Sequence, residues 1–312
     1  MICSQIAQQH APQITNATLD EDFRAEVTKY GFRADNPWVD GYVPIVWEKD
    51  RHYIESYLGD IRGKTGLEFG CNMGATAIML SRLGASVTAV DADRRYVSIA
   101  ERNAARYGEE KIQFRWVPAG TALPFQDSSF DFVTCGSVLE YVSSQHLRPV
   151  IKEIDRVLVA GGVLLVLGTS NRLAPREVHS RRWLSNYIPK RWDSVRRPRQ
   201  RGIFPWQIRR GLTGYVDLVA YDREKYFAIR KKIGESRQKI ICLRMAAVAG
   251  RLLGLSSGEV TPSFLLALKK PVLRPPDSAP PQSTSRRARR KTAGIVEGCS
   301  RSQRDICARA GG

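Results

Sequence analysis

The chain contains no run of about 18 uninterrupted apolar residues, so no membrane-spanning helix is expected. Its first residues, MICSQIAQQHAPQITNATLDEDF, lack a basic start followed by an apolar stretch, which argues against a secretory signal. The six cysteines stand singly at positions 3, 71, 135, 242, 299 and 307, with no C-x-x-C pair and no histidine at ligand spacing. That pattern excludes a disulfide framework, gives no metal site, and reads as reduced thiols in a cytoplasmic protein. Histidine is scarce, at positions 10, 52, 146 and 179, so few side chains titrate near neutral pH. There is no G-x-G-x-x-G fingerprint and no G-K-[ST] after a glycine-rich loop, which disfavours a dinucleotide-dependent oxidoreductase and a P-loop nucleotide site.

What is present is an uneven charge. Of the net +18, almost all belongs to two segments: residues 172–210, with twelve Arg and Lys against two acids, and residues 271–312, with nine against three. The remainder is close to neutral, so the fold itself needs no polyanion. Residues 1–40 have weak periodicity and read as a loose leader. Apolar residues at helical spacing predict a helix from about Val43 to Leu58. Short apolar runs then recur at Gly66–Phe69, Val87–Val90, Ile112–Val117, Phe130–Cys135 and Val163–Leu167, separated by amphipathic stretches at Gly74–Leu83, Arg94–Tyr107 and Gln145–Leu158. This alternation predicts βαβ units, a parallel sheet covered on both faces, and a ligand beyond the carboxyl ends of the strands. The rhythm breaks over 169–210. It returns as a strand at Tyr215–Ala220, a long amphipathic helix within Asp222–Leu253 and a strand at Ser263–Leu268. The Pro-, Ser- and Arg-rich segment 271–312 reads as a disordered tail.

The chemistry concentrates after the first apolar run, in LEFGCNMGATA followed by VTAVDAD. Gly70 and Gly74 bracket the strand-to-helix turn, where a ligand must approach the backbone. Asp91 follows Gly70 by 21 residues, a position from which a carboxylate can accept both hydroxyls of a ribose. Glu68 precedes the turn and can accept from an ammonium. A cofactor with a ribose and a charged amino-acid end, but no phosphate, suits this set. Blander readings stand beside it: Cys71 and Cys135 as small buried packing residues, Asp127 as a turn former, Glu140 as a solvent-facing helix charge.

The segments LEFGCNMGATA, VDAD, ALPFQDSSFDFVTCGSVLEYV and VLVAGGVLLVLGTSNR, in this order, resemble the successive motifs of class I methyltransferases dependent on S-adenosylmethionine, most of all the ubiquinone- and menaquinone-biosynthesis type. PSFLLALKKP is similar to the family's final strand. The resemblance implies an α/β fold: a Rossmann-like, seven-stranded, mostly parallel sheet flanked by helices, its seventh strand antiparallel, with a basic insert after the fifth strand. The implied layout is a methyltransferase domain at 41–270 containing an aromatic, basic, substrate-side insert at 169–210. The resemblance further implies S-adenosyl-L-methionine as cofactor. Glu68, Gly70, Cys71 and Gly74 would contact its methionine and ribose portion, Asp91 the ribose hydroxyls and Ala92 the adenine; Gly120 and Thr121 would border the adenine, and Cys135 with Gly136 would line the sulfonium side. Two departures stand out. Ala119 occupies the place of an acid that reads the adenine amine, which would weaken affinity, and the usual V-L-E-H-V reads Val138-Leu139-Glu140-Tyr141-Val142.

For the acceptor, Cys135-Gly136-Ser137-Val138 replaces the [DN]-P-P-[YF] of enzymes that methylate planar amides or bases, which leaves O- or C-methylation of a smaller acceptor, with oxygen preferred. His179, in an N-R-x-x-P-x-x-x-H stretch similar to that of related methyltransferases, is the leading catalytic candidate, and Glu140 and Tyr141 are the further ones. His52 falls on a helix that would cap the pocket, and His146 on an outer helix reads as structural. The Arg and Trp of 172–210 suit a small or lipid-linked, anionic acceptor and a peripheral membrane contact, and suit equally a solvated lid. Two rival functions remain: a catalytically inactive, methyltransferase-like binding protein, and an RNA-directed methyltransferase. The second is disfavoured because no RNA-binding module is recognisable.

Overall fold

The strands that the apolar runs predict line up side by side because the central ones are buried on both faces and need a neighbour on each edge. In the computed structural model, which describes residues 11–120, 122–189, 192 and 201–272, they are β1 (Thr65–Phe69), β2 (Ser86–Asp91), β3 (Gln113–Trp116), β4 (Phe130–Gly136), β5 (Leu158–Ser170), β6 (Val216–Asp217) and β7 (Ser263–Lys269). The sheet order is β3-β2-β1-β4-β5-β7-β6. β1 to β5 pair in parallel. β7 runs antiparallel between β5 and β6, as the resemblance implied. Strand order reverses between β1 and β4, so their connections leave in opposite directions and open a crevice at their carboxyl ends.

Helices α4 (Ala75–Arg82), α5 (Arg94–Arg106) and α6 (Ser144–Val157) make the crossovers. One apolar cluster joins α4 and two helices that precede β1, α2 (Tyr42–Lys49) and α3 (Arg51–Tyr57), to one face of the sheet. A second packs α6 against the other face through Leu147, Ile151 and Ile154. The helix predicted over Val43–Leu58 is therefore two, meeting at Asp50.

The N-terminal expectation needs correction. Residues 11–40 are not a loose leader: they carry α1 (Ala17–Lys29), started by Asn16, whose side chain accepts from Thr18 N at 2.8 Å. α1 buries only Phe23 and Val27 against Ile99 and Met73, which explains its weak periodicity. The remaining anchorage is ionic. The fully buried Arg106 guanidinium donates to Asp20 at 2.6 Å, to Asp40 at 2.8 Å and to Asn103 at 2.8 Å, over the Phe23 ring. Asp20 loses part of its solvation here, yet its bonds to Arg24 and Arg106 leave its pKa lowered. Arg106→Met removes these bonds and leaves Asp20 and Asp40, both partly exposed, only their contacts with Arg24, so it is expected to cost about 1.5–3 kcal/mol in denaturant unfolding. A loss below about 1 kcal/mol would mean that α1 is held by its apolar contacts alone.

Between β6 and β7 the pattern also differs from expectation. The strand foreseen at Tyr215–Ala220 stops at Asp217, whose side chain accepts from Val219 N at 2.9 Å and starts α8 (Leu218–Tyr221). The single long helix expected within 222–253 is α9 (Arg223–Lys232) and α10 (Arg237–Leu252). They are parted at Gly234, which has φ +81°, a conformation glycine adopts without a Cβ clash. The insert at 169–210 is described only in part and carries the short helix α7 (Pro205–Arg209), and the tail expected at 271–312 lies outside the described residues from position 273 on. Among the described residues no helix is long and apolar enough to cross a membrane.

Candidate active site

The crevice at the strand ends opens into a cavity of about 1270 Å³. Its floor is the turn from β1 to α4. Gly70 has φ +80°, and a Cβ there would lie 2.3 Å from Val138 Cγ2, so both conformation and space demand glycine. Gly70 N and Cys71 N donate back to Val90 O at 2.8 and 2.9 Å, pinning the turn to β2. On β1 Leu67 faces the core, so alternation turns Glu68 toward the cavity. Glu68 is 3% exposed and its Oε2 has no hydrogen-bond partner among the described residues. Burial pushes its pKa up to about 8, against the downward pull of Thr76 and the Ala77 backbone.

Asp91 ends β2. Its Oδ1 accepts from Asp93 N at 2.9 Å and its Oδ2 from Asn72 N at 2.8 Å, which fixes the carboxylate and leaves each oxygen a further lone pair. Burial raises its pKa, while those amides pull it down. Ala92, Val117, Ala119 and Gly120 continue this wall. A buried carboxylate with one orphaned oxygen, a glycine cradle closed by Val138 and a fixed, partly exposed aspartate fit the ammonium, backbone approach and ribose of S-adenosylmethionine.

The opposite wall follows β4. Ser137, at φ +51°, turns the chain into a short 3-10 segment, Leu139–Tyr141. Glu140 is buried there, and His179 Nε2 donates to its Oε1 at 2.8 Å while Ser170 N donates at 3.1 Å. A carboxylate only accepts, so Nε2 carries the proton and Nδ1 is the basic nitrogen. Nδ1 has no hydrogen-bond partner among the described residues. Glu140 raises the His179 pKa through this bond, outweighing the lowering by burial. The Tyr141 ring lies 5.9 Å from that of His179. Behind them sits Glu177, fully buried, whose Oε1 accepts from His179 N at 3.1 Å and from Ser170 Oγ at 2.9 Å and whose Oε2 accepts from Ser180 N. Burial raises and these bonds lower its pKa, with a net lowering.

Of the residues singled out from sequence, Glu68, Gly70, Cys71, Asp91, Ala92, Gly120, Tyr141 and His179 line the cavity, and Glu140 reaches it through His179. Two differ. Gly74 is not in the wall: at φ +79° it caps α4, and a Cβ would press on Ala100 and Phe114 at 3.1 Å. Cys135 is fully buried beneath Phe69 O, so Gly136 lines the cavity in its place. Thr121 lies outside the described residues. The thiols of Cys71 and Cys135 are pushed up by burial, which makes them poor nucleophiles. His146, read as structural, does line the cavity beside Gly120, whereas His52 is buried beside Glu55 and does not. Sequence reasoning missed Glu177, whose signal was its charge, one of two acids among twelve cations over 172–210. It also missed Asp50, Tyr53, Arg230 and Glu235, which close the far end of the cavity.

A family model described as a methyltransferase domain matches residues 67–166. A ubiquinone biosynthesis O-methyltransferase of Paracidovorax citrulli is 29% identical over 137 residues, 44% of this chain and 50% of that protein. Another, of Idiomarina loihiensis, is 30% identical over 120 residues, 38% of this chain and 48% of that protein. The chain thus matches about half the length of these curated relatives. A solved S-adenosylmethionine-dependent methyltransferase of Methanosarcina mazei is 31% identical, over 38% of this chain and 57% of that one, with a TM-score of 0.35. Residues 67–166, which run from β1 into β5, thus match a methyltransferase domain.

Proposed function

We propose that the protein methylates a hydroxyl oxygen of a small-molecule acceptor at the expense of S-adenosylmethionine. The observation that carries this reading is the Glu140–His179 pair, which faces the same cavity as Glu68 and Asp91. When bound, the cofactor supplies a methyl group on a sulfonium, electrophilic enough for direct displacement by oxygen. Asp91 would hold the ribose hydroxyls and Glu68 the ammonium. Glu140 locks the imidazole so that Nδ1 is free to take the proton of the acceptor hydroxyl as the oxygen becomes nucleophilic. Glu177 and Ser170 hold the His179 backbone and the Glu140 carboxylate in one network, which keeps the base in place. The cavity walls hold the reactants together, a contribution that can exceed that of the base. The relatives named as O-methyltransferases support oxygen as the acceptor atom.

Methyl transfer from labelled S-adenosylmethionine to a panel of catechols and phenols, with matched anilines and thiols as controls, tests the reading. Products carrying O-methyl groups are expected; label on nitrogen or sulfur alone would overturn it. The pH profile is a second check. The base works as neutral imidazole, and its bond to Glu140 raises its pKa above the ordinary value of about 6.5. At saturating cofactor, kcat/KM for the acceptor should therefore rise with pH through a limb above that value, and Glu140→Gln should move the limb to lower pH. A limb unmoved by the substitution would assign the titration to another group.

A further inference from the structure

Beyond the cofactor cradle and the base, the cavity has a third polar region. Lys49 and Asp50 at the junction of α2 and α3, and Tyr53 on α3, meet Arg230 of α9 and Glu235 of the α9–α10 turn around it. Arg230 and Glu235 come from the long segment between β6 and β7. Arg230 is 9% exposed, and its Nη1 donates to Glu235 Oε1 at 2.7 Å. That same oxygen takes Lys239 Nζ at 2.7 Å. Arg230 Nε and Glu235 Oε2 are shut from solvent and have no hydrogen-bond partner among the described residues. The Tyr53 hydroxyl lies within electrostatic reach of Arg230, Glu235 and Asp50, so the groups form one cluster. Neither that hydroxyl nor the Asp50 carboxylate is hydrogen-bonded among the described residues. Ile45, Ile233 and Leu265 supply apolar wall around them.

Buried polar atoms without partners are costly, and a cavity that collects them is built to have them satisfied by a ligand. The mixture selects the ligand. A carboxylate or phosphate would meet Arg230 and Lys49 but lie against the carboxylates of Asp50 and Glu235. A cation would meet Arg230 and Lys49. An apolar group would leave the Tyr53 hydroxyl and the Asp50 carboxylate unpaired. A hydroxyl both donates and accepts, so it can accept from the Tyr53 hydroxyl on one side and donate to the Asp50 carboxylate on the other.

We infer that this end of the cavity, formed by Asp50, Tyr53, Arg230 and Glu235, binds a neutral, hydroxyl-bearing part of the acceptor, remote from the oxygen that is methylated. The inference rests on the reading of the cavity as a methyl-transfer site. It makes the segment between β6 and β7 a determinant of acceptor choice.

The test is calorimetric binding to the full chain of three alkylphenols alike except at the chain end, which carries a vicinal diol, a carboxylate or a methyl group. The diol probe is expected to bind about tenfold more tightly than the methyl probe and more tightly than the carboxylate probe. Tyr53→Phe and Asp50→Asn, which keep shape where Arg230 substitutions would remove one of the two partners of Glu235, should each erase that preference and leave the affinity of the methyl probe unchanged. Equal binding of the three probes, preference for the carboxylate, no binding of any probe, or a diol preference indifferent to both substitutions would overturn the inference. A parallel titration with S-adenosylhomocysteine separates the two readings. Its failure alongside a Tyr53-dependent diol preference would remove the methyl-transfer reading alone, and its success without that preference would remove this one alone.

Discussion

Asp91→Ala is expected to lower the affinity for S-adenosylhomocysteine by about 100-fold or more. Both carboxylate oxygens are fixed by the amides of Asn72 and Asp93, so neither must be reorganised when two ribose hydroxyls arrive. A hydrogen bond to a charged group contributes about 1.5–3 kcal/mol, and losing two corresponds to at least about two orders of magnitude in Kd. The substitution also leaves the Asn72 and Asp93 amides without their acceptor, so a thermal melt of the variant belongs beside the titration. Asp91→Asn keeps one acceptor oxygen and should fall between wild type and alanine. Affinity within about threefold of wild type for Asp91→Ala would remove Asp91 from the cofactor site.

His179→Ala should lower kcat by about 10²–10⁴-fold, the range supplied by a positioned general base, while the affinity for S-adenosylhomocysteine stays near wild type. The two readouts divide because His179 stands on the β4–β5 wall with Glu140 and Tyr141, and the cradle is built from β1 and β2. Alanine also leaves the buried Glu140 carboxylate without its ring partner. His179→Gln, which can still donate to Glu140, is the control: it should retain stability and lose turnover to a similar extent. A glutamine variant with near-normal kcat would mean that the histidine only organises the wall.

The two halves of this site differ in how readable they are from sequence, and the reason is range. Glu68, Gly70 and Asp91 lie on one βαβ unit, where strand alternation and the turn glycines fix their directions locally. The same local logic led to the parallel sheet. Gly74 and Cys135 carry the right motif letters, yet one serves a helix cap and the other the core, because a motif gives position along the chain and not which way a side chain points. The ordered N-terminus was hidden because Arg106 reaches Asp20 and Asp40 across 86 and 66 residues, and ion pairs leave no periodicity. Glu177 and the Arg230–Glu235 pair were hidden likewise: their significance comes from burial, which composition does not report. The breaks at Asp50 and Gly234, where single helices were expected, bring Asp50 and Glu235 to the cavity.

The most direct measurement is a calorimetric titration of the full chain with S-adenosylmethionine at pH 7, in two buffers of different ionisation enthalpy. Burial holds the free Glu68 carboxyl at a pKa of about 8, so at pH 7 it is mostly protonated and must ionise to meet the cofactor ammonium. Saturable binding with release of about one proton per cofactor is expected, with affinity rising as pH approaches that value; Glu68→Gln should bind more weakly and release none. Absence of saturable binding, or wild-type binding with no proton released, would contradict the assignment of this cavity to S-adenosylmethionine through Glu68.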